Sequence, residues 1–205
     1  MPSIGLGPLQ LSLEYDGFDT ARFAYSSYLK NIQENGAALA QFCEELGNDE
    51  VDFVSYSMGG IVLRWAVAHH TMPRIRRVVM IGPPNKGARF ANWVGDRLGP
   101  LFPILVGRSG TQLRRDPQSI AATAGEIPPN TEIGIIAGGT GTPRGFNPLI
   151  GEDNDRIVAV EETKLPNMTD FVLLNIAHGP LIFSSDTFAQ TKHFLSEGRF
   201  QANLS

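Results

Sequence analysis

The stretch VDFVSYSMGGIVLRW, residues 51–65, constrains this chain more than any other. A β-rich run, VDFVSYS (51–57), passes directly into MGGIVLRWAVAHH (58–70), whose apolar residues recur at helical spacing. Branched and aromatic side chains suit a pleated strand, whereas recurrence every three to four residues suits a helix with one buried face. So sharp a passage leaves Ser57 at the tip of a strand-to-helix turn. It is either an exposed nucleophile or merely a small turn residue, and its possible partners must arbitrate.

The same alternation extends along the chain. TARFAYSS (20–27) reads as a strand, and residues 28–47 as a helix with Leu29, Ile32, Leu39, Phe42 and Leu46 on one face, closed by Gly47. Further strands are expected at 74–82, 131–139 and 170–178, and a last helix at about 186–197. Alternating strands and helices predict an α/β fold with a mainly parallel sheet. PLQLSLEY (8–15) is either a strand or a short helix ended by Asp16-Gly17. Between residues 88 and 129 the pattern weakens, and the insertion is either a lid or binding loop or a plain surface excursion.

Length and composition narrow the class. At 205 residues, 42% hydrophobic and 19% charged, the chain suits one globular domain, residues 1–205, with a substantial core. A net charge of −4 argues against nucleic acid or anionic membrane as a partner, and no apolar run is long enough for stable membrane insertion. The basic clusters at Arg74–Arg77 and Arg114–Arg115 read as solvated element ends. A single cysteine, Cys43, sits in a helical pattern as a buried free thiol, and no Cys/His cluster suggests a metal. The N-terminus lacks the basic start of a signal peptide, so the chain as written is expected in the cytoplasm unless an upstream segment exports it.

Nucleophilic cleavage of an ester needs a nucleophile, a base, a group that orients the base, and donors for the developing oxyanion. A strand–Ser–helix turn lifts the Ser Oγ above the carboxyl edge of the sheet and aims the first helical N–H groups at the transition state. The close backbones demand small residues around the serine, here Ser55 and Gly59, with Gly60 next. Among the histidines, His69 and His70 lie at the far end of the helix that Ser57 starts, where they suit C-terminal capping. His193 falls mid-helix as a partly buried structural residue. His178 falls where FVLLNIA gives way to Gly179-Pro180, at the sheet edge where active sites lie. The acid is expected in GEDNDRIVAVEET (151–163): Asp155, just before the apolar IVAV, with Asp153 in reserve.

With these residues in view, the sequence resembles the bacterial lipases and esterases of the α/β-hydrolase fold. VDFVSYSMGGIVLRW resembles their nucleophile elbow, and VVMIGPPNKGARFA the strand and turn that follow it. EIGIIAGG and NDRIVAVEETKLPNMTDFVLLNIAHG resemble the acid segment and histidine loop, and KHFLSEGRF the closing helix. The resemblance spans residues 17–200. It implies a central parallel sheet flanked by helices, a minimal cap or none, and carboxylic-ester hydrolysis through an acyl-enzyme. Ser57 is then the nucleophile, Asp155 the acid, His178 the base and Met58 the first oxyanion donor through its backbone N–H. No cofactor or metal is required, and the partner is a small-molecule or lipid ester.

The departures are local. Tyr56 stands where the family usually has His, and Ser55 where it often has Gly. At the front, I-G-L-G (4–7) stands for the family's H-G-L-G, and the buried strand that normally leads into it is not evident. Either the Leu6 N–H is the second oxyanion donor or that donor is lacking; its loss costs ~3–4 kcal/mol of transition-state stabilisation. The same triad also serves acyl transfer or thioester cleavage, and a hydrolase-like fold without a full oxyanion hole would be a binding module. IIAGGTGTPRG lacks the ending of a phosphate loop, and the sequons at Asn167 and Asn203 read as chance. LFPILV (101–106) is either an acyl-chain wall or packing.

Overall fold

In the computed structural model, which describes residues 3–99, 102–115 and 119–202, four strands lie parallel in one sheet. They are β1 (Glu50–Tyr56), β2 (Arg74–Ile81), β3 (Glu132–Gly138) and β4 (Asp170–Leu174), adjacent in that order. The helices are α1 (Gly7–Tyr15), α2 (Ile32–Leu46), α3 (Gly59–His69), α4 (Arg89–Leu98), α5 (Phe102–Thr111), α6 (Ile120–Thr123), α7 (Val160–Thr163), α8 (His178–Leu181) and α9 (Ser185–Glu197).

A parallel strand covered on both faces must be apolar without interruption. The inner strands obey this: Val78 to Ile81 and Ile133 to Gly138 are buried throughout. Strand periodicity then divides the side chains between two cores. Val78, Met80, Ile133 and Ile135 meet Ile32 and Leu39 of α2 and Ile61 and Ala66 of α3. Val79, Ile81 and Ile136 meet Leu9 and Leu13 of α1 and Phe194 of α9 on the opposite face. The result is the α/β architecture expected from the alternation, a parallel sheet between two helical layers. Arg74, Arg76 and Arg77 pair with Glu50, Asp52 and Glu132 across the amino ends of β1, β2 and β3, which accounts for that basic cluster without a ligand.

Several local expectations need correction. TARFAYSS forms no strand. Phe23 and Tyr25 are half-buried against the α2/α3 core, and Phe23 packs on Phe42 of α2 with ring centroids 5.5 Å apart. The period-2 pattern there records packing on a helix layer, not pairing with a strand. The following helix begins at Ile32, not residue 28, because Asn31 accepts from the Glu34 N–H while Glu34 accepts from the Asn31 N–H, a capping box. Leu29, before the helix, and Leu46, its last residue, are exposed and lie outside the buried stripe. PLQLSLEY belongs to α1, with Pro8 in the first turn, where a missing N–H is harmless. β4 stops at Leu174, and His178 opens α8 instead of ending the strand. Cys43 is buried and unpaired, and burial raises its thiol pKa.

The insertion from 88 to 129 contains α4, α5 and α6 and is tethered from outside. Arg64 of α3, almost fully buried, donates to the carbonyls of Gly125, Asn85 and Ala121. Arg108 and Ser109 N–H donate to Tyr28 and Ser27 carbonyls, and Gln112 accepts from the Ile32 N–H. Of the LFPILV run, Leu101 and the side chains of residues 102–106 lie outside the described residues, as does Asn203. Among the described residues β1 pairs only with β2, and the chain enters through a 3-10 turn (Ser3–Leu6) and α1, with no lead-in strand.

Candidate active site

Three segments meet at the carboxyl edge of the sheet. At the first, β1 turns into α3 through Ser57, whose φ of 52° is left-handed for a residue with a Cβ. Such a conformation is costly and persists where surrounding contacts enforce it. The Ser57 N–H donates to the Ile81 carbonyl (2.8 Å), which pins the elbow to β2. The tightest approach behind it falls at Gly60: an added Cβ would lie 3.2 Å from Pro83 Cβ, whereas one on Gly59 would lie 3.6 Å from Ser55 Cβ. The demand for small residues is therefore strongest one position beyond Gly59. The next residue after the serine, Met58, is the N-cap of α3. Its N–H makes no bond to a protein acceptor among the described residues, as expected of the orphan donors at a helix start.

The second segment carries Asp155, which is fully buried. Its Oδ1 accepts from the Ile157 and Val158 N–H groups (3.0 and 2.8 Å) and its Oδ2 faces His178 Nδ1 at 2.6 Å. The third carries His178, whose backbone N–H donates to the Asp155 carbonyl (2.7 Å). His178 Nε2 lies 3.0 Å from Ser57 Oγ. An ionised carboxylate only accepts, so Nδ1 bears the proton, and Nε2 is left as the acceptor for the serine hydroxyl. At Gly82, where φ is 55°, an added Cβ would come within 3.2 Å of the imidazole, so this turn leaves room for the ring.

The remaining candidates lie elsewhere. Asp153 spends its oxygens on the N–H groups of Thr140, Gly141 and Asn154, closing the turn after β3. His69 stacks on Trp65 with centroids 3.7 Å apart, and its Nδ1 meets the Trp65 carbonyl at the end of α3. His193 Nδ1 meets the Arg199 carbonyl. Leu6 closes the first 3-10 turn and packs, half-buried, on the core that includes Ile81 and Ile182. A Cβ on neighbouring Gly5 would lie 3.9 Å from Ile182, four residues beyond His178, so the I-G-L-G segment runs beside the histidine loop.

Two supporting residues escaped the sequence reading. Tyr56 donates its hydroxyl to the His178 carbonyl (2.9 Å), and its ring lies 5.1 Å from the imidazole. Burial, and then the Asp155 charge, raises its pKa, so the phenol stays a donor. Glu162 is buried and accepts from the N–H groups of Ala159 and Arg89, with Arg89 and Arg115 beside it. Burial raises its pKa against the opposing pull of those hydrogen bonds and arginines. The sequence marks Tyr56 only as a departure at the elbow, and Glu162 only as part of the Val-Glu-Glu-Thr run, with nothing to show the role of either.

A cavity of about 540 Å³ opens beside His178, lined by Phe90, Phe146, Arg156, Ile157 and Pro180 among others. Among the described residues, no cluster of three or more His, Cys, Asp or Glu is arranged to hold a metal, and no helix is long and apolar enough to cross a membrane.

The chain matches no family model and no curated protein sequence. Solved structures do resemble it. A Bacillus licheniformis lipase in its mature form superposes with a TM-score of 0.70 at 20% identity, over 97% of this chain and 87% of that one. A metagenomic carboxyl esterase gives 0.61 at 16% identity, over 83% and 57%. A Staphylococcus hyicus lipase gives 0.58 at 12% identity, over 92% and 87%. At these identities the likeness is one of fold: the α/β architecture matches that of lipase and esterase structures of the α/β-hydrolase type.

Proposed function

We propose that the chain is a serine hydrolase that cleaves carboxylic esters through an acyl-enzyme. The observation that carries this reading is the continuous hydrogen-bonded line from Asp155 through both nitrogens of His178 to Ser57 Oγ. In that line His178 Nε2 takes the Ser57 proton as Oγ attacks the acyl carbonyl, and returns it to the departing alkoxide. Water, deprotonated by the same nitrogen, then releases the acid. Asp155 holds the imidazole tautomer and stabilises its cation. The Met58 N–H receives the oxyanion, a donor worth ~3–4 kcal/mol, whereas the Leu6 N–H closes the Ser3–Leu6 3-10 turn. The lipase and esterase names of structures sharing this fold support an ester as the substrate.

A fluorophosphonate probe tests the assignment. Wild type should label and Ser57→Ala should not, and the variant should lose p-nitrophenyl butyrate turnover by ~10⁴-fold or more while remaining folded. Equal labelling of both proteins sinks Ser57 as nucleophile. A folded wild type that neither labels nor turns over the ester is a hydrolase-like binding module instead.

A further inference from the structure

The cavity beside His178 carries one feature that ester hydrolysis does not explain. Arg156 directly follows the proposed acid and lines that cavity with a φ of 95°, a left-handed conformation that glycine adopts without steric penalty. The conformation is enforced by two asparagines. Asn154 Oδ1 accepts from the Arg156 N–H (2.9 Å), and Asn147 Nδ2 donates to the Arg156 carbonyl (3.1 Å). Asn154 Nδ2 in turn donates to the Asn147 carbonyl (3.0 Å), so the clamp is closed on itself.

Among the described residues the charge of Arg156 also lacks a carboxylate partner. Every carboxylate on its own segment is engaged elsewhere: Glu152 with Arg89, Asp153 with backbone N–H groups, and Asp155 with His178. Glu161 pairs with Lys164, and Glu162 with Arg89 and Arg115. Among the described residues no carboxylate pairs with the Arg156 guanidinium. The rest of the wall is largely apolar, through Phe90, Phe146, Ile157 and Pro180. A cavity with a largely hydrocarbon wall, an exposed arginine without a carboxylate partner among the described residues, and a neighbouring serine–histidine pair fits a ligand with an apolar chain, an ester and a negative charge. A guanidinium is suited to carboxylate and phosphate, whose oxygens match its fork of donors.

We infer that this site selects esters that carry an anionic group, a carboxylate or a phosphate, which Arg156 binds while the apolar wall takes the hydrocarbon portion. The inference rests on the proposed hydrolase activity and deepens it by naming the substrate class.

Matched ester pairs test it. In the first, p-nitrophenyl butyrate is compared with the p-nitrophenyl monoester of glutaric acid, which adds a carboxylate to the acyl end. In the second, a monoacylglycerol is compared with the lysophosphatidic acid of the same chain, which adds a phosphate on the alcohol side. At low salt the wild type should prefer the anionic member of at least one pair in kcat/KM. Arg156→Gly relieves the backbone and should lower that anionic-to-neutral ratio about ten-fold, the size of one charged hydrogen-bonded contact. Half-molar salt should compress the wild-type ratio toward that of the variant, because the charge is exposed to screening. A preference in the glutarate pair places the charge on the acyl side, and one in the phosphate pair places it on the alcohol side. Ratios unchanged by Arg156→Gly in both pairs overturn the inference. Should wild type hydrolyse none of the four esters, the hydrolase reading fails instead. The Arg156 site is then judged by equilibrium binding of lysophosphatidic acid below its micellar concentration: it stands if Arg156→Gly weakens binding about ten-fold and falls if it does not.

Discussion

Two irregular regions border the same sheet edge, and they are held in different ways. The acid loop, 151–163, contains only one short helix, yet its polar groups are engaged both within the loop and by Thr140, Gly141, Asn147, His178, Arg89 and Arg115. Asp153, Asn154, Asp155 and Glu162 each accept from two or more backbone N–H groups or side chains. The insertion, 88–129, has three helices and is moored by ties to other elements: Arg64, the turn at 27–30, Ile32, Gln33 and Asn35 of α2, and Glu162 through Arg89 and Arg115. Regular secondary structure is therefore a poor guide to which region is fixed. A loop whose donors and acceptors are met from several sides can present a carboxylate in one geometry, whereas the helices of the insertion depend on the anchors that other elements supply.

Substitutions at either end of this contrast should separate the two. The largest effect is expected at the acid loop. Asp155→Asn replaces an acceptor-only group and favours the wrong imidazole tautomer, so kcat should fall by ~10³- to 10⁴-fold while the rest of the loop stays bonded. Stopped-flow turnover together with an unchanged near-UV spectrum would check this. A loss below ten-fold would show that His178 is oriented without Asp155.

In the insertion, Arg64→Met should destabilise the protein by ~3 kcal/mol, because buried carbonyls of Gly125, Asn85 and Ala121 lose their donor. Hydrogen exchange should then quicken over residues 119–127 more than over 151–163. Equal acceleration in both would mean that the two regions open as one unit.

The smallest effect concerns the join between elbow and histidine loop. Tyr56→Phe removes one hydrogen bond to the His178 carbonyl, and kcat should fall by roughly three- to ten-fold with KM little changed. The pKa of this phenol is raised, first by burial and then by the Asp155 charge, so it remains a neutral donor as pH rises past the ordinary tyrosine value near 10. The ratio of wild-type to variant kcat should therefore stay level from about pH 7 to about pH 10. A ratio that collapses toward one near the top of that range would mean that Tyr56 ionises there.

How much of this could be read beforehand differs between fold and site. The inner strands were legible because strands covered on both faces must be apolar throughout, and α3 because its apolar spacing starts immediately after the elbow. TARFAYSS misled because alternating aromatics pack on helices as readily as on sheets, and nothing local says which neighbour will be there. Ser57 and His178 stood out through turn chemistry, and Asp155 through the apolar run behind it. Tyr56, Arg156 and Glu162 did not, since each acts through groups more than twenty residues away or through a backbone angle that the sequence does not display.

By itself the sequence determined the alternation of strands and helices, their apolar faces, the small residues at the elbow, and the order in which a serine, an aspartate and a histidine follow the strands. These depend on periodicity and local sterics, which act between near neighbours. Only the tertiary structure decided that His178 Nε2 comes within 3.0 Å of Ser57 Oγ, that Asp155 and not Asp153 meets its other nitrogen, and that Arg156 lines the cavity beside His178. Those outcomes depend on how loops far apart in sequence share out a limited set of donors and acceptors, and that allocation is made only when the sheet brings their ends together.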